Sequence, residues 1–171
     1  MNGNFHNIVL SFGGNEVNTF SCFEEALHLL KEKLGNLVLI SKVYESEAWG
    51  FDKPTNPFLN QVLLISSETK PPDALNITQN IEKKLGRKTK SINKTYSDRP
   101  IDIDILFFDS EIINSEKLTI PHYLITKRKF ILKPLAEILP NFIHPVLKKS
   151  VKELLLQCED KLTVNLYNKK Q

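Results

Sequence analysis

Tyr96-Ser97-Asp98-Arg99-Pro100-Ile101-Asp102-Ile103-Asp104-Ile105-Leu106-Phe107-Phe108 is the stretch on which the reading of this chain turns. From Ile101 onward it is β-branched and aromatic, the composition of a strand. Strand side chains alternate, so Ile101, Ile103 and Ile105 fall on one face and Asp102 and Asp104 on the other. Two carboxylates therefore project side by side from a rigid element inside an apolar run. Like charges this close repel, and a half-buried pair is costly unless something positive lies between them. A divalent cation answers that need. Mg²⁺ in particular takes one or two protein carboxylates together with waters and substrate phosphates. Alone, Asp-x-Asp on a strand is most simply a solvated face. The neighbours shift the weight: Arg99 stands just before the pair, and residues 83–99 hold seven Lys or Arg against the single acid Asp98. An anion site beside a cation site points to a metal–phosphate complex.

Working outward, the chain reads as strand, helix, strand, strand, helix, strand. Residues 7–12 are a short apolar strand ended by Gly13-Gly14-Asn15. No Gly-Lys-Ser/Thr follows, so this turn is not a P-loop. Ser21-Cys22-Phe23-Glu24 fits a capping box, and Phe23, Ala26, Leu27, Leu30 and Leu34 recur at helical spacing until Gly35. Residues 37–44 form the second strand. Residues 45–57 make a long loop with Trp49 and Phe51, a length common in functional loops. Residues 58–66 form the third strand, with Asn60 near its start. Pro71-Pro72-Asp73 opens the second helix, whose core face is Ile77, Ile81 and Leu85 and whose end is Gly86. The Asp102/Asp104 strand is the fourth. This is an α+β chain with a ferredoxin-like βαββαβ core: an antiparallel sheet with both helices on one face.

Beyond the core, Asp109-Ser110 is a turn, and residues 111–113 are expected to extend the strand as a hairpin. Leu118-Thr119-Ile120-Pro121-His122-Tyr123 is extended. His122 has three roles open to it: phosphate ligand, general acid or satisfied structural histidine. Lys127-Arg128-Lys129 opens a short helix with Phe130 and Leu132, and residues 134–138 add a helical turn ended by Pro140. Ser150-Val151-Lys152-Glu153 is a second capping box, opening a C-terminal helix to about Cys158. Residues 168–171 read as a frayed tail.

Bulk properties set bounds. A length of 171 residues with 41% hydrophobic and 25% charged composition suits one domain, residues 1–171, with a real core. A net charge of +3 is too mild to imply nucleic-acid binding. Cys22 and Cys158 are too few for a disulfide framework. No signal peptide or membrane-length apolar run is present, so a cytoplasmic protein is expected, off the membrane.

At this point the residues resemble a family, the 6-hydroxymethyl-7,8-dihydropterin pyrophosphokinases of folate biosynthesis, over residues 8–138. The resemblance rests on Arg99-Pro100-Ile101-Asp102-Ile103-Asp104-Ile105-Leu106 and on Leu118-Thr119-Ile120-Pro121-His122-Tyr123 with Arg128 and Phe130. Gly13-Gly14-Asn15, Tyr44-Glu45-Ser46 with Gly50, Phe58-Leu59-Asn60, and Glu82 with Gly86-Arg87 complete the ordered match. It implies an enzyme that moves pyrophosphate from ATP to the pterin hydroxymethyl oxygen and releases AMP. It further implies two Mg²⁺ ions on Asp102 and Asp104, with Arg87 and Arg99 as catalytic cations. Gln79, Glu82, Tyr96, Arg99, Ile105, Lys117, Thr119, His122, Tyr123 and Arg128 match ATP-binding positions. Phe58 and Phe130 match the pair that sandwiches the pterin, with Ser46, Glu47, Trp49, Asn60 and Tyr96 around it. ATP and the pterin are the expected small-molecule partners, and the expected state is a monomer. The chain departs from the family's usual pattern at Tyr96, where Trp is common, and at Ser97-Asp98, where a Gly-Pro-like pair is common. It departs again at Lys117, where Arg is common, and at Glu47-Ala48-Trp49.

Two other classes compete. A ferredoxin-like RNA-binding module would stack bases on sheet aromatics, but the paired carboxylates oppose a phosphate backbone and no Gly-Phe-rich strand appears. A metal-dependent phosphohydrolase shares the carboxylates and needs no pterin.

Overall fold

Every strand of the expected core forms, and the register joins them in the expected order. The computed structural model describes residues 4–51, 55–87 and 97–168. β1 (His6–Gly14) pairs antiparallel with β4 (Phe58–Ser67) on one side and with β5 (Asp102–Phe108) on the other. β2 (Asn36–Ile40) and β3 (Tyr44–Ser46) both pair antiparallel with the far side of β4. The single strand expected over residues 37–44 is therefore two. Ser41 breaks it: its Oγ accepts the Val62 N–H at 3.0 Å, so a side chain takes over a ladder bond. The resulting order, β5-β1-β4-β3, is the ferredoxin-like arrangement.

α1 (Thr19–Lys33) and α2 (Pro71–Lys84) cover one face of this sheet. Phe23, Ala26, Leu30 and Ile81 pack there against Ile8, Leu10, Phe12, Ile103 and Ile105. Burying each large side chain contributes about 2 kcal/mol. The capping box expected at Ser21 does not form. The helix starts three residues earlier, at Thr19 with Asn18 as N-cap, and Ser21 Oγ instead donates to the Asn18 carbonyl inside the first turn. Leu34 is the C-cap, and Gly35 closes the helix as expected, its N–H donating to the Leu30 carbonyl at 3.1 Å.

The other face carries α3 (Lys129–Ile138) and α4 (Val151–Leu156). Ile131, Leu132, Leu135, Val151 and Leu154 form a second core with Val9, Val62, Leu106 and Phe107. Residues 134–138 are thus the second half of one helix. Pro134 costs it only the bond to the Phe130 carbonyl in the opening turn. The capping box at Ser150 does form: Ser150 N–H donates to Glu153 at 2.8 Å, and Glu153 N–H to Ser150 Oγ at 3.4 Å.

Two features depart further from expectation. β6 (Ile113–Asn114) pairs with β7 (Thr119–Ile120) as a separate ribbon and does not prolong β5. Asp109, at φ 47°, turns the chain off the end of β5, where its N–H bonds Asn7. β8 (Val164–Leu166) adds a strand beyond β3 that three ordinary residues in a polar tail do not announce. Residues 169–171 lie outside the described part.

One irregularity positions the site. Val9 pairs with Phe107 and Leu10 with Ile105, so Leu106 is an extra, bulged residue. Leu106 and Phe107 consequently both enter the α3–α4 core, and Phe108 returns to the α1–α2 core. The Leu106 carbonyl accepts the His122 N–H at 3.0 Å, which brings the segment after β7 alongside β5.

Candidate active site

Asp102 and Asp104 stand opposite Gly13 and Ser11 of β1. Small partners on the adjacent strand leave open space over the two carboxylates. Gly14 brings the chain closer still: a Cβ there would lie 2.5 Å from the Pro100 carbonyl and 2.9 Å from Thr19. Asp102 is clamped by two cations. Arg99 Nε lies 3.2 Å from its Oδ2, and Arg87 binds its Oδ1. The same Arg87 guanidinium binds Glu82, whose Oε1 also accepts the Ile103 N–H at 2.7 Å. Gly86 makes this possible, because its φ of 94° turns the chain back at the end of α2. Arg87 Nε is buried with no hydrogen-bond partner among the described residues.

The charges are unequal by environment. Burial works against the Asp102 charge, but the Arg99 and Arg87 guanidinium groups outweigh it and hold the carboxyl below its ordinary range. Asp104 has no such clamp: burial and the neighbouring Asp102 push its pKa up. Glu82 is pushed to about 7 by burial, against the pull of Arg87. Burial holds His122 below its ordinary value despite the attraction of Asp104. Its Nδ1 accepts the Leu124 N–H at 3.3 Å. A neutral His122 in that arrangement carries its proton on Nε2.

A cavity of about 760 Å³ opens over the carboxylates. The expected ATP residues Gln79, Glu82, Arg99 and Ile105 line one side, and Lys117, Thr119, His122, Tyr123 and Arg128 the other. Arg87 joins them. On the far side of the carboxylates lies a second cleft with only about 30 Å³ of free volume. Ser46, Glu47, Trp49, Phe58, Asn60 and Phe130, the residues matched above to pterin positions, line it together. Asp102, Asp104, Arg99, Arg128 and Trp49 belong to both cavities and form the wall between them. Arginines cover the aromatic faces: Arg99 lies 5.0 Å over Phe58, and Arg128 lies 4.8 Å over Trp49 and 5.6 Å over Phe130.

The polar groups of the small cleft are more committed than their residue types suggest. Asn60 is only 2% exposed, and its Nδ2 donates to Ser46 Oγ at 2.9 Å and to the Phe58 carbonyl at 3.2 Å. Its amide therefore presents an acceptor rather than both kinds of partner. Glu47 pairs with Thr163 through its N–H at 3.4 Å and its carboxylate at 3.1 Å, so only the rest of the 46–49 segment is left to read a ligand. α3 is fixed by the C-terminal segment too: Asp160 accepts the Lys129 N–H at 3.0 Å next to Phe130.

Tyr96 and the lysines of residues 88–94 lie outside the described residues. Every other expected site residue lines one of the two cavities. The sequence reading did not single out Ser11, nor Thr55 and Asp98 as a contact. Phe51 it noted only as a loop aromatic, yet its ring stands 5.5 Å from Phe58.

Comparison with known proteins follows the same outline. The model of the 7,8-dihydro-6-hydroxymethylpterin-pyrophosphokinase (HPPK) family matches residues 9–140. The 2-amino-4-hydroxy-6-hydroxymethyldihydropteridine pyrophosphokinase of Porphyromonas gingivalis is 43% identical over 139 residues, 81% of this chain and 93% of that one. The enzyme of the same name from Aquifex aeolicus is 40% identical over 146 residues, 85% of this chain and 88% of that one. Among solved structures, the crystal structure of Plasmodium falciparum HPPK-DHPS superposes with a TM-score of 0.75 at 18% identity. It is a likeness of fold, covering 90% of this chain and 44% of that longer one.

Proposed function

Because this chain belongs to the 7,8-dihydro-6-hydroxymethylpterin-pyrophosphokinase family, we propose that its two cavities hold the two substrates, with Asp102 and Asp104 between them. The reaction is the family's: pyrophosphate passes from ATP to the hydroxymethyl oxygen of 6-hydroxymethyl-7,8-dihydropterin, and AMP is released, in folate biosynthesis. The observation that carries the residue assignment is the shared wall. The carboxylates face the large charged cavity on one side and the small aromatic cleft on the other.

The donor set fits Mg²⁺. Asp104 is a carboxylate that burial and Asp102 disfavour in its charged form, more strongly than His122, Arg128 and Arg87 nearby favour it. Two ions held by Asp102 and Asp104 would supply neutralisation of phosphate charge and alignment of the attacking and leaving oxygens. The chain's own groups do the rest. Arg87 and Arg99 exchange their hold on Asp102 for triphosphate oxygens, and Arg128 adds a third fork. Neutral His122 donates from Nε2 to a phosphate oxygen. Phe58 and Phe130 flank the pterin ring once Arg99 and Arg128 swing toward phosphate. Asn60 Oδ1 accepts from the ring's N–H edge, and Trp49 with Phe51 covers the site against water.

The chain acts, on this reading, as a single-domain cytoplasmic monomer. No helix among the described residues is long and apolar enough to cross a membrane. The decisive test mixes protein, MgATP and the pterin and resolves nucleotides by chromatography. AMP that appears only with pterin and vanishes with EDTA is expected. ADP or free phosphate instead would overturn the assignment.

A further inference from the structure

Asn15 is 4% exposed and ties three segments together. Its N–H donates to the Arg99 carbonyl at 3.0 Å, and its Oδ1 accepts the Arg99 N–H at 3.0 Å. Its Nδ2 donates to Asp98 Oδ1 at 2.6 Å and reaches Thr55 Oγ1 at 3.3 Å. Thr55 Oγ1 in turn donates to the same Asp98 oxygen at 2.6 Å. One carboxylate oxygen thus gathers two donors, one from the turn after β1 and one from the last limb of the loop joining β3 to β4. These bonds hold the Asp98 carboxyl below its ordinary range, Thr55 first and Asn15 second. The loop so tied carries Trp49 and Phe51, which close the aromatic cleft.

We propose that Asp98 is a positioning residue for the pterin side: its carboxylate clasps Thr55 to Asn15 and thereby fixes the limb of the β3–β4 loop that leads into Phe58, against which Phe51 packs. The inference rests on the pterin assignment of the small cleft. Arg99 itself stays fixed through both of its backbone bonds to Asn15, so the nucleotide side does not depend on the clasp. Asp98 and Thr55 touch no reacting group. They act through the loop.

The test uses Asp98→Ala, Asp98→Asn and Thr55→Val in the full chain, with separate KM values for pterin and ATP. Asp98→Ala should raise the pterin KM about threefold to tenfold, the range of one or two partly exposed hydrogen bonds, and leave the ATP KM within about twofold of wild type. The Asn amide oxygen still accepts both bonds, so Asp98→Asn should restore most of the loss. Adding Thr55→Val to Asp98→Ala should cost little more, since both variants break one clasp. Equal rises in both KM values, or full additivity of the two changes, would overturn the proposal. Amide hydrogen exchange of Trp49, Gly50, Phe51 and Thr55 in the protein without substrates is read alongside. It should quicken in Asp98→Ala and recover in Asp98→Asn, and unchanged exchange would sink the clasp. That readout needs no turnover, so absence of AMP formation by the wild-type protein would count against the function and not against the clasp.

Discussion

The two cavities that meet at Asp102 and Asp104 are built in opposite ways. The large cavity, the proposed nucleotide side, is open, about 760 Å³; its acids sit on regular elements, Glu82 on α2 and Asp102 and Asp104 on β5, while Arg87, Arg99, Lys117 and Arg128 reach it from the segments between elements. The small cleft, the proposed pterin side, holds about 30 Å³; Trp49 and Phe51 from the β3–β4 loop line it with Phe58 of β4 and Phe130 of α3, and Phe51 packs against Phe58. Space on that scale admits one or two waters and no bicyclic ring. On the proposed assignment the phosphate half is already open, and the cost of that opening has been met in folding. If the small cleft takes the pterin as proposed, it must open, and its apparent affinity carries the cost of that opening. The predictions below strike the shared wall first and then one half at a time.

The largest effect is expected where the halves meet. Asp104→Asn should reduce turnover on the order of a hundred- to a thousandfold, the scale of losing one preorganised electrostatic group. It should not weaken the fold, because the wild-type carboxylate is the one that burial and Asp102 disfavour. A folded-state pKa above the unfolded value gives stability that is lost as pH rises, so the amide should melt no lower than wild type at pH 8. Initial AMP rates with calorimetric melting check both halves of the claim. Near wild-type turnover would remove the carboxylates from the mechanism.

Arg87 sharpens the same point through stability. It is the cation between Glu82 and Asp102, and its side chain is only 12% exposed. Arg87→Met should cost about 3 kcal/mol, because it leaves two buried carboxylates facing each other. Glu82 adds a pH signature. Its pKa is pushed from 4.5 to about 7 by burial, with Arg87 pulling the other way. Its contribution is therefore full below about pH 4.5 and is lost as pH rises through about 7. Urea unfolding at pH 5 and pH 8 should show a smaller difference for Glu82→Gln than for wild type. Identical differences would mean that Glu82 does not titrate in this window.

On the pterin side the expected effects are smaller and of the other sign. Phe51 lines only the small cleft and stacks obliquely on Phe58 at 5.5 Å. Such a pair is worth about 0.5–1.5 kcal/mol beyond area. If opening requires its separation, Phe51→Ala should speed pterin association about threefold to tenfold and leave ATP association unchanged. Stopped-flow pterin fluorescence would decide it, and an unchanged association rate would mean that the loop closes after binding, without gating it.

The contrast also explains what could be read from sequence. Alternation in residues 101–105 places Asp102 and Asp104 on one face whatever surrounds them, and the helical stripes of α1 and α2 fix the opposite layer. The shared face of Asp102 and Asp104 was legible because it stands on those periodic elements, whereas Arg87, Arg99, Lys117, His122 and Arg128 lie off them and were pointed to by the family resemblance. The bulge at Leu106 was not, since a strand of apolar residues reads the same with or without an extra one. Nor was the split of β2 from β3, which rests on one Ser41 hydroxyl, nor β8, which exists only because β3 offers it an edge. The commitments of Asn60 Nδ2 and of Glu47 are contacts across 14 and 116 residues, and no local pattern encodes them. The family resemblance named the aromatic pair Phe58 and Phe130, but not that arginines would lie across both rings.

Lys117 gives the smallest expected effect and the finest cut. It is exposed on the rim of the large cavity, away from the aromatic cleft. An ammonium there is a hydrated point charge without the bidentate fork of arginine, and screened surface pairs are worth about 0–1 kcal/mol. Lys117→Ala should therefore raise the ATP KM by no more than about fivefold at low salt, and raised ionic strength should shrink the difference. Lys117→Arg should lower the ATP KM slightly, and the pterin KM should follow neither change. If the pterin KM moved with the charge at Lys117, the halves would be coupled through more than their shared wall. The nucleotide side would then help to open the aromatic cleft as well as bind phosphate, and the independence argued from the geometry would fail at its most peripheral residue.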